Sequence, residues 1–170
     1  NIGEDVNCYL RLVDCVGFVI PSAKGYQNED GSNRTIKTPW SVDEMPFEEA
    51  AILGTKKVIE SHTNIGIVVT SDGTFGDFTR VEYESVEENI INELKNAGKP
   101  FIIVLNTAYP NDQKTINLQE EIKEKYGVSV VVLDVANMET KDIDDLLRVA
   151  LDEFDIEELN INLPNWVNML

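Results

Sequence analysis

The sequence predicts an α/β fold, a three-layer sandwich whose mostly parallel sheet is covered by helices on both faces. Three observations carry this. Ile65 to Thr70 and Phe101 to Leu105 are continuous apolar runs, as strands buried on both sides are. The polar loop after each run gives way to apolar residues at helical spacing. Counting the run that ends at Asp14, strand, loop and helix recur four times, a pattern that requires crossover connections and parallel pairing.

The elements follow in order. Val6, Cys8, Leu10 and Leu12 alternate with Asn7, Tyr9, Arg11 and Val13, the period of two that predicts a strand ending at Asp14. Phe18 to Met45 reads as a long, switch-like loop, rich in Gly25, Asn28, Gly31 and Asn33. Thr38-Pro39-Trp40 closes it, with Trp40 either anchoring the loop or stacking on a ligand. Pro46 opens a helix with Phe47, Ala50, Ala51, Gly54 and Val58 on one face and His62 at its end. The strand over 65–70 runs into Ser71-Asp72-Gly73-Thr74. Val86, Ile90, Leu94 and Ala97 mark a helix stopped by Gly98 and Pro100. After the strand over 101–105 come Asn106-Thr107, then a helix through Leu118, Ile122 and Tyr126 with Gly127 as its C-cap. Val128 to Leu133 is the next strand, closing on Asp134-Val135-Ala136-Asn137. Thr140 caps a last helix with Ile143, Leu146, Leu147, Ala150, Leu151 and Phe154 on its face. Residues 156–170 form a tail or the start of a following domain.

Composition narrows the function. The chain has 170 residues, 42% hydrophobic and 26% charged, which suits one globular domain. A formal net charge of −17 repels nucleic acid and anionic lipid, and no basic cluster offsets it. The acids of 82–93, 120–124, 142–145 and 152–158 read as solvated helix faces. Cys8 and Cys15, roughly 23 Å apart on one strand at ~3.3 Å per residue, cannot bridge. They read as reduced thiols, and with the single His62 they cannot build a tetrahedral zinc site. No apolar run approaches the ~20 residues of a membrane span, so the expectation is a cytoplasmic protein. The chain opens at Asn1 without methionine, and the expectation is a fragment.

Chemistry concentrates at the strand ends. An acid at the carboxyl end of a strand faces the crevice where open α/β sheets bind ligands. Asp14 there can hold Mg²⁺, and the Gly17 amide can approach a terminal phosphate with no side chain in the way. This is the Asp-x-x-Gly logic of P-loop nucleotide hydrolases; a plain turn with Asp14 capping amides satisfies the same residues. In that fold Asn106, Thr107, Val135 and Ala136 belong to base-binding loops. Nothing matches G-x-x-x-x-G-K-[ST], the loop whose amides cradle phosphates. The expectation is therefore a P-loop NTPase fold lacking its first strand and P-loop, with roughly a hundred further residues upstream. Tyr109 stands where a guanine-specific site places an acid, so ATP is favoured over GTP. Phe18 follows Gly17, and a phenyl ring cannot orient the attacking water as glutamine does.

Arg11-Leu12-Val13-Asp14-Cys15-Val16-Gly17-Phe18, Thr38-Pro39-Trp40, Pro46-Phe47-Glu48-Glu49-Ala50-Ala51 and Gly54-Thr55-Lys56-Lys57-Val58-Ile59 resemble the stage IV sporulation protein A family. So do Gly98-Lys99-Pro100-Phe101 and Leu163-Pro164-Asn165-Trp166-Val167. The resemblance implies a spore-coat morphogenetic ATPase with a fold derived from translation-factor GTPases, using ATP and Mg²⁺, with Asp14 as its Walker B acid. It implies that hydrolysis drives self-assembly of a static polymer, the basement layer of the spore coat. That layer lies in the mother-cell cytoplasm on the forespore surface, held by a small amphipathic peptide and joined by other coat proteins. Residues 1–155 would then be the C-terminal part of the ATPase domain, inactive as a piece. Two alternatives stay open. One is a structural assembly module with an incomplete nucleotide site; the other is a receiver-like domain, which needs an acid pair and a lysine that this chain does not place.

Overall fold

The computed structural model describes residues 9–23, 27–28 and 31–154. In chain order the elements are β1 (Thr35–Ile36), β2 (Met45–Pro46), α1 (Phe47–His62), β3 (Gly66–Ser71), α2 (Arg80–Asn96), β4 (Phe101–Asn106), α3 (Gln113–Tyr126), β5 (Val130–Leu133), a 3-10 turn at Val135–Asn137 and α4 (Thr140–Asp152). β3, β4 and β5 form a parallel sheet in that order, while β1 and β2 make a separate, short antiparallel pair.

Local chemistry sets the helix ends. Thr79 and Glu82 form a reciprocal capping box at the start of α2, satisfying amides that the first turn leaves free. Asp112 accepts from the Lys114 amide at 2.9 Å to start α3, and Gly127 ends it in the left-handed region at φ 70°. Thr140, expected as the cap of α4, is its first helical residue; the cap is Glu139, paired with Asp142 in a capping box. Pro46 likewise precedes α1 and does not enter it.

One face of the sheet is sealed. Val68, Phe101, Ile103, Leu105 and Val130 meet Ile91 and Leu94 of α2, Ile122 and Tyr126 of α3, and Ile59 of α1. Gly66 is required there, because a Cβ would stand 2.9 Å from Leu94 Cδ2 and 3.1 Å from Phe101 Cβ. On the opposite face Ile102 and Val104 are buried, and α4 packs on β4 through the buried Ala150. Over β3 that face is open: Ile67 is 36% and Val69 61% exposed. The expected cover on both faces therefore holds for β4 and fails for β3.

Two further expectations change, and one alternative is decided. Residues 9–20, read as strand up to Asp14, form no regular structure. A strand exists only through its ladder, and among the described residues nothing hydrogen-bonds to this segment in register. The switch-like loop is less featureless than its sequence: it holds β1, β2 and a bridge between Gln27 and Asn33. Trp40 lies with its ring edge 3.5 Å from where a Cβ on Gly54 would be, so it rests on α1 although half exposed. Residues 1–8, Lys24, Gly25 and the tail at 156–170 fall outside the described residues.

Candidate functional site

The sheet register builds the site. Ser71 pairs with Asn106, and Asn106 with Leu133, so the loops leaving β3, β4 and β5 emerge level on one edge. This is the carboxyl edge, where parallel sheets place their ligands. The Asn106 side chain accepts from the Val135 amide at 3.1 Å, and the Thr107 amide donates to the Leu133 carbonyl at 3.0 Å. The structure thus brings Asn106, Thr107 and Val135 together, with Ala136 exposed beside them.

Thr107 is fully buried, at 0% exposure. Its hydroxyl donates to Asp72 Oδ2 at 2.6 Å and accepts from the Tyr109 amide at 3.0 Å. Asp72 Oδ1 accepts from the Thr74 amide at 2.9 Å and from its hydroxyl at 2.5 Å. The Thr74 hydroxyl accepts in turn from the Ala108 amide at 2.9 Å. Asp72 and Thr74, read in sequence only as loop, are therefore the hub of the edge. The signal was present as Ser71-Asp72-Gly73-Thr74: Asp followed two residues later by an amide it can accept from is the Asx-turn pattern. Gly73 has φ 88°, and a Cβ there would stand 3.0 Å from the Arg80 amide.

Asp14 and Gly17 line a groove that shares Thr70 with the end of β3. The groove, of about 390 Å³, runs along the free edge of β3 with Val16, Phe18 and Ile20 beside them, and its other wall includes Ile67, Val69 and Val86. Asp14 is exposed, and the hydrogen bonds that join Asn106, Thr107 and Val135 do not reach it. Among the described residues no group of three His, Cys, Asp or Glu side chains could hold a metal ion. Ser22, further along the same segment, donates to Glu82 at the start of α2.

Below the site, the acids of α2 are not all solvated. Glu87 is buried and takes both nitrogens of the Arg80 fork, at 2.6 and 2.9 Å, while Arg80 also donates to Thr70 at 3.0 Å. Burial alone would raise the Glu87 pKa; the Arg80 guanidinium overrides it and holds the carboxyl below its ordinary value. Burial first, and hydrogen bonding with the neighbouring Glu87 carboxylate second, push the Tyr126 phenol up to about 12. On the surface Lys125 bridges Glu84 and Glu88 at 2.8 and 2.6 Å, tying α3 to α2. His62 ends α1, exposed.

Residues 1–155 match the family model described as stage IV sporulation protein A, ATPase domain. The chain belongs to this family. Curated stage IV sporulation protein A of Bacillus subtilis (strain 168) is 48% identical over 99% of the chain. The proteins of that name from Bacillus anthracis and Clostridioides difficile (strain 630) are each 45% identical over all of it. The chain spans about a third of the length of these relatives, 34% in each case. No solved structure matches it. The matched region is the part of the family that its model describes as an ATPase domain. The α/β architecture with its parallel sheet is consistent with it. No helix among the described residues is long and apolar enough to cross a membrane.

Proposed function

We propose that this chain supplies the Walker B and base-side parts of a P-loop ATPase domain, in a longer protein whose ATP hydrolysis drives self-assembly of the spore-coat basement layer. The observation that carries the reading is the level carboxyl edge, where three polar loops of a parallel sheet open side by side within a region that matches an ATPase domain.

Each part has a role. Asn106 with Val135, and Ala136 beside them, border the base, and the buried Thr107 supports their loop from behind. Asp14 fits Mg²⁺: this ion keeps several waters and takes one or two carboxylates plus substrate phosphates, so a lone exposed acid meets its needs. When bound, the ion neutralises charge on the transferred phosphoryl group. Gly17, at φ 74° and with open space about its Cα, lets its amide approach a phosphate. The open edge of β3 and the exposed Ile67 and Val69 are the seat of a strand and covering helix that bring the phosphate cradle. ATP is preferred because Tyr109 offers no acceptor pair to guanine. The same reading gives the protein itself, a small amphipathic peptide and other coat proteins as partners, at the forespore surface in the mother-cell cytoplasm.

The test is ATP turnover and sedimentable assembly by the full-length protein. Asp14→Asn should abolish turnover and with it ATP-driven assembly. A second reading, a structural module whose nucleotide site is incomplete, draws on Asp14 standing outside the hydrogen bonds that join the Asn106, Thr107 and Val135 loops. It requires Asp14→Asn to leave assembly unchanged.

A further inference from the structure

We propose that Asp72, acting through Thr107, is a positioning residue that holds Tyr109 as the platform on which the purine stacks. The inference rests on the nucleotide reading above and assigns it a specificity element.

The Thr107 hydroxyl is fully committed. It gives its proton to Asp72, receives the Tyr109 amide, and has no exposed surface. A hydroxyl so placed cannot touch a ligand; it shapes the loop that does. The same carboxylate organises the next amide, since Thr74, held at both its amide and its hydroxyl by Asp72, accepts from Ala108. Two consecutive amides after β4 thus hang, through two hydroxyls, on one carboxylate from the loop after β3. The other side of Tyr109 is also fixed: its carbonyl accepts from the Thr115 hydroxyl at 3.0 Å and the Asp112 amide at 3.1 Å. Backbone pinned at N and O leaves the side chain as the free part of Tyr109, a residue 63% exposed at the carboxyl edge.

A rigidly mounted, exposed aromatic at a ligand-binding edge suits stacking, because the backbone entropy is already lost before the base arrives. Stacking is tolerant of base identity, since every base offers a π-face. The platform therefore strengthens purine binding generally, while the absence of an acid at this position removes the preference for guanine.

The experiment uses the full-length protein, with amide exchange measured without nucleotide and steady-state turnover with ATP. Thr107→Val keeps the shape and removes the hydroxyl. It should speed exchange at Ala108 and Tyr109 and raise KM for ATP about tenfold, with kcat falling far less. Thr107→Ser should restore both. Tyr109→Ala, a surface change that leaves the fold intact, should raise KM for ATP and for GTP by similar factors of roughly ten, and Tyr109→Phe should not. A Ser variant as impaired as the Val variant, or a KM indifferent to Tyr109→Ala, would overturn the inference while the ATPase reading stands. No ATP turnover by the wild-type protein overturns that reading instead.

Discussion

β3 and β4 are neighbours in one sheet, yet they meet opposite surroundings. In β4, Phe101 to Leu105 are all buried; in β3, buried Val68 and Thr70 alternate with exposed Ile67 and Val69. The sequences do not foretell this, since both are unbroken apolar runs. The difference comes from neighbours. β4 has a strand on each side and helices on both faces, whereas among the described residues β3 has one free edge and one bare face. An apolar run is thus a statement of what a strand can bury, and the neighbours decide how much it does bury.

The largest effect tests the closed side where it supports β3. Arg80→Ala should cost about 3–5 kcal/mol in urea unfolding at neutral pH, because it leaves the 1%-exposed Glu87 carboxylate buried without its counter-charge. The sign with pH discriminates further. In the wild type the Glu87 pKa lies below 4.5, so its contribution is complete above that value and is lost as pH falls through the folded pKa. In the variant, burial without Arg80 pushes the pKa the other way. The difference between the two proteins should then begin to shrink above pH 4.5, as pH falls through the variant's raised folded pKa, and stop shrinking only below the wild type's lowered one.

Next comes a direct contrast of the two strands. Ile103→Ala should cost about 2–5 kcal/mol, since its side chain is wholly buried. Val69→Ala should stay within about 0.5 kcal/mol wherever Val69 remains exposed. A cost comparable to Ile103→Ala in the full-length protein would demonstrate that β3 acquires its cover there. Gly66→Ala sharpens the same comparison from within β3. It should cost about 1–3 kcal/mol by overpacking against Leu94 and Phe101. A Leu94→Ala background should relieve part of that cost, measured as a double-mutant cycle. The smallest effect is Thr79→Ala, about 1 kcal/mol from half of the α2 capping box, readable as a lowered urea midpoint.

Most of the fold was legible because its signals are local. Gly98, Pro100 and Gly127 punctuate the helices, and the runs at 65–70 and 101–105 lie within one residue of β3 and β4. Val128 to Leu133 was read two residues too long at its start, where the apolar pattern outlasts the ladder. The candidate site divided along the same line. Asn106, Thr107 and Val135 were placed together by strand ends that sequence reading aligns, but the role of Asp72 was not legible. Its partner Thr107 is 35 positions away, and only the pairing of Ser71 with Asn106 brings the two within reach. Glu87 was hidden among solvated acids because a helix face is identified by what packs on it, and Arg80 packs from the same helix two turns earlier.

The sequence by itself determined the four helices, β3 to β5, their order, the parallel sheet and the family, because periodicity, breakers and motif residues act over a few neighbouring positions. Tertiary structure alone decided that residues 9–20 form no strand, that β3 keeps a bare face, and that one aspartate organises the carboxyl edge. Those outcomes depend on which backbone finds a hydrogen-bonding neighbour, and that is settled by contacts between distant segments.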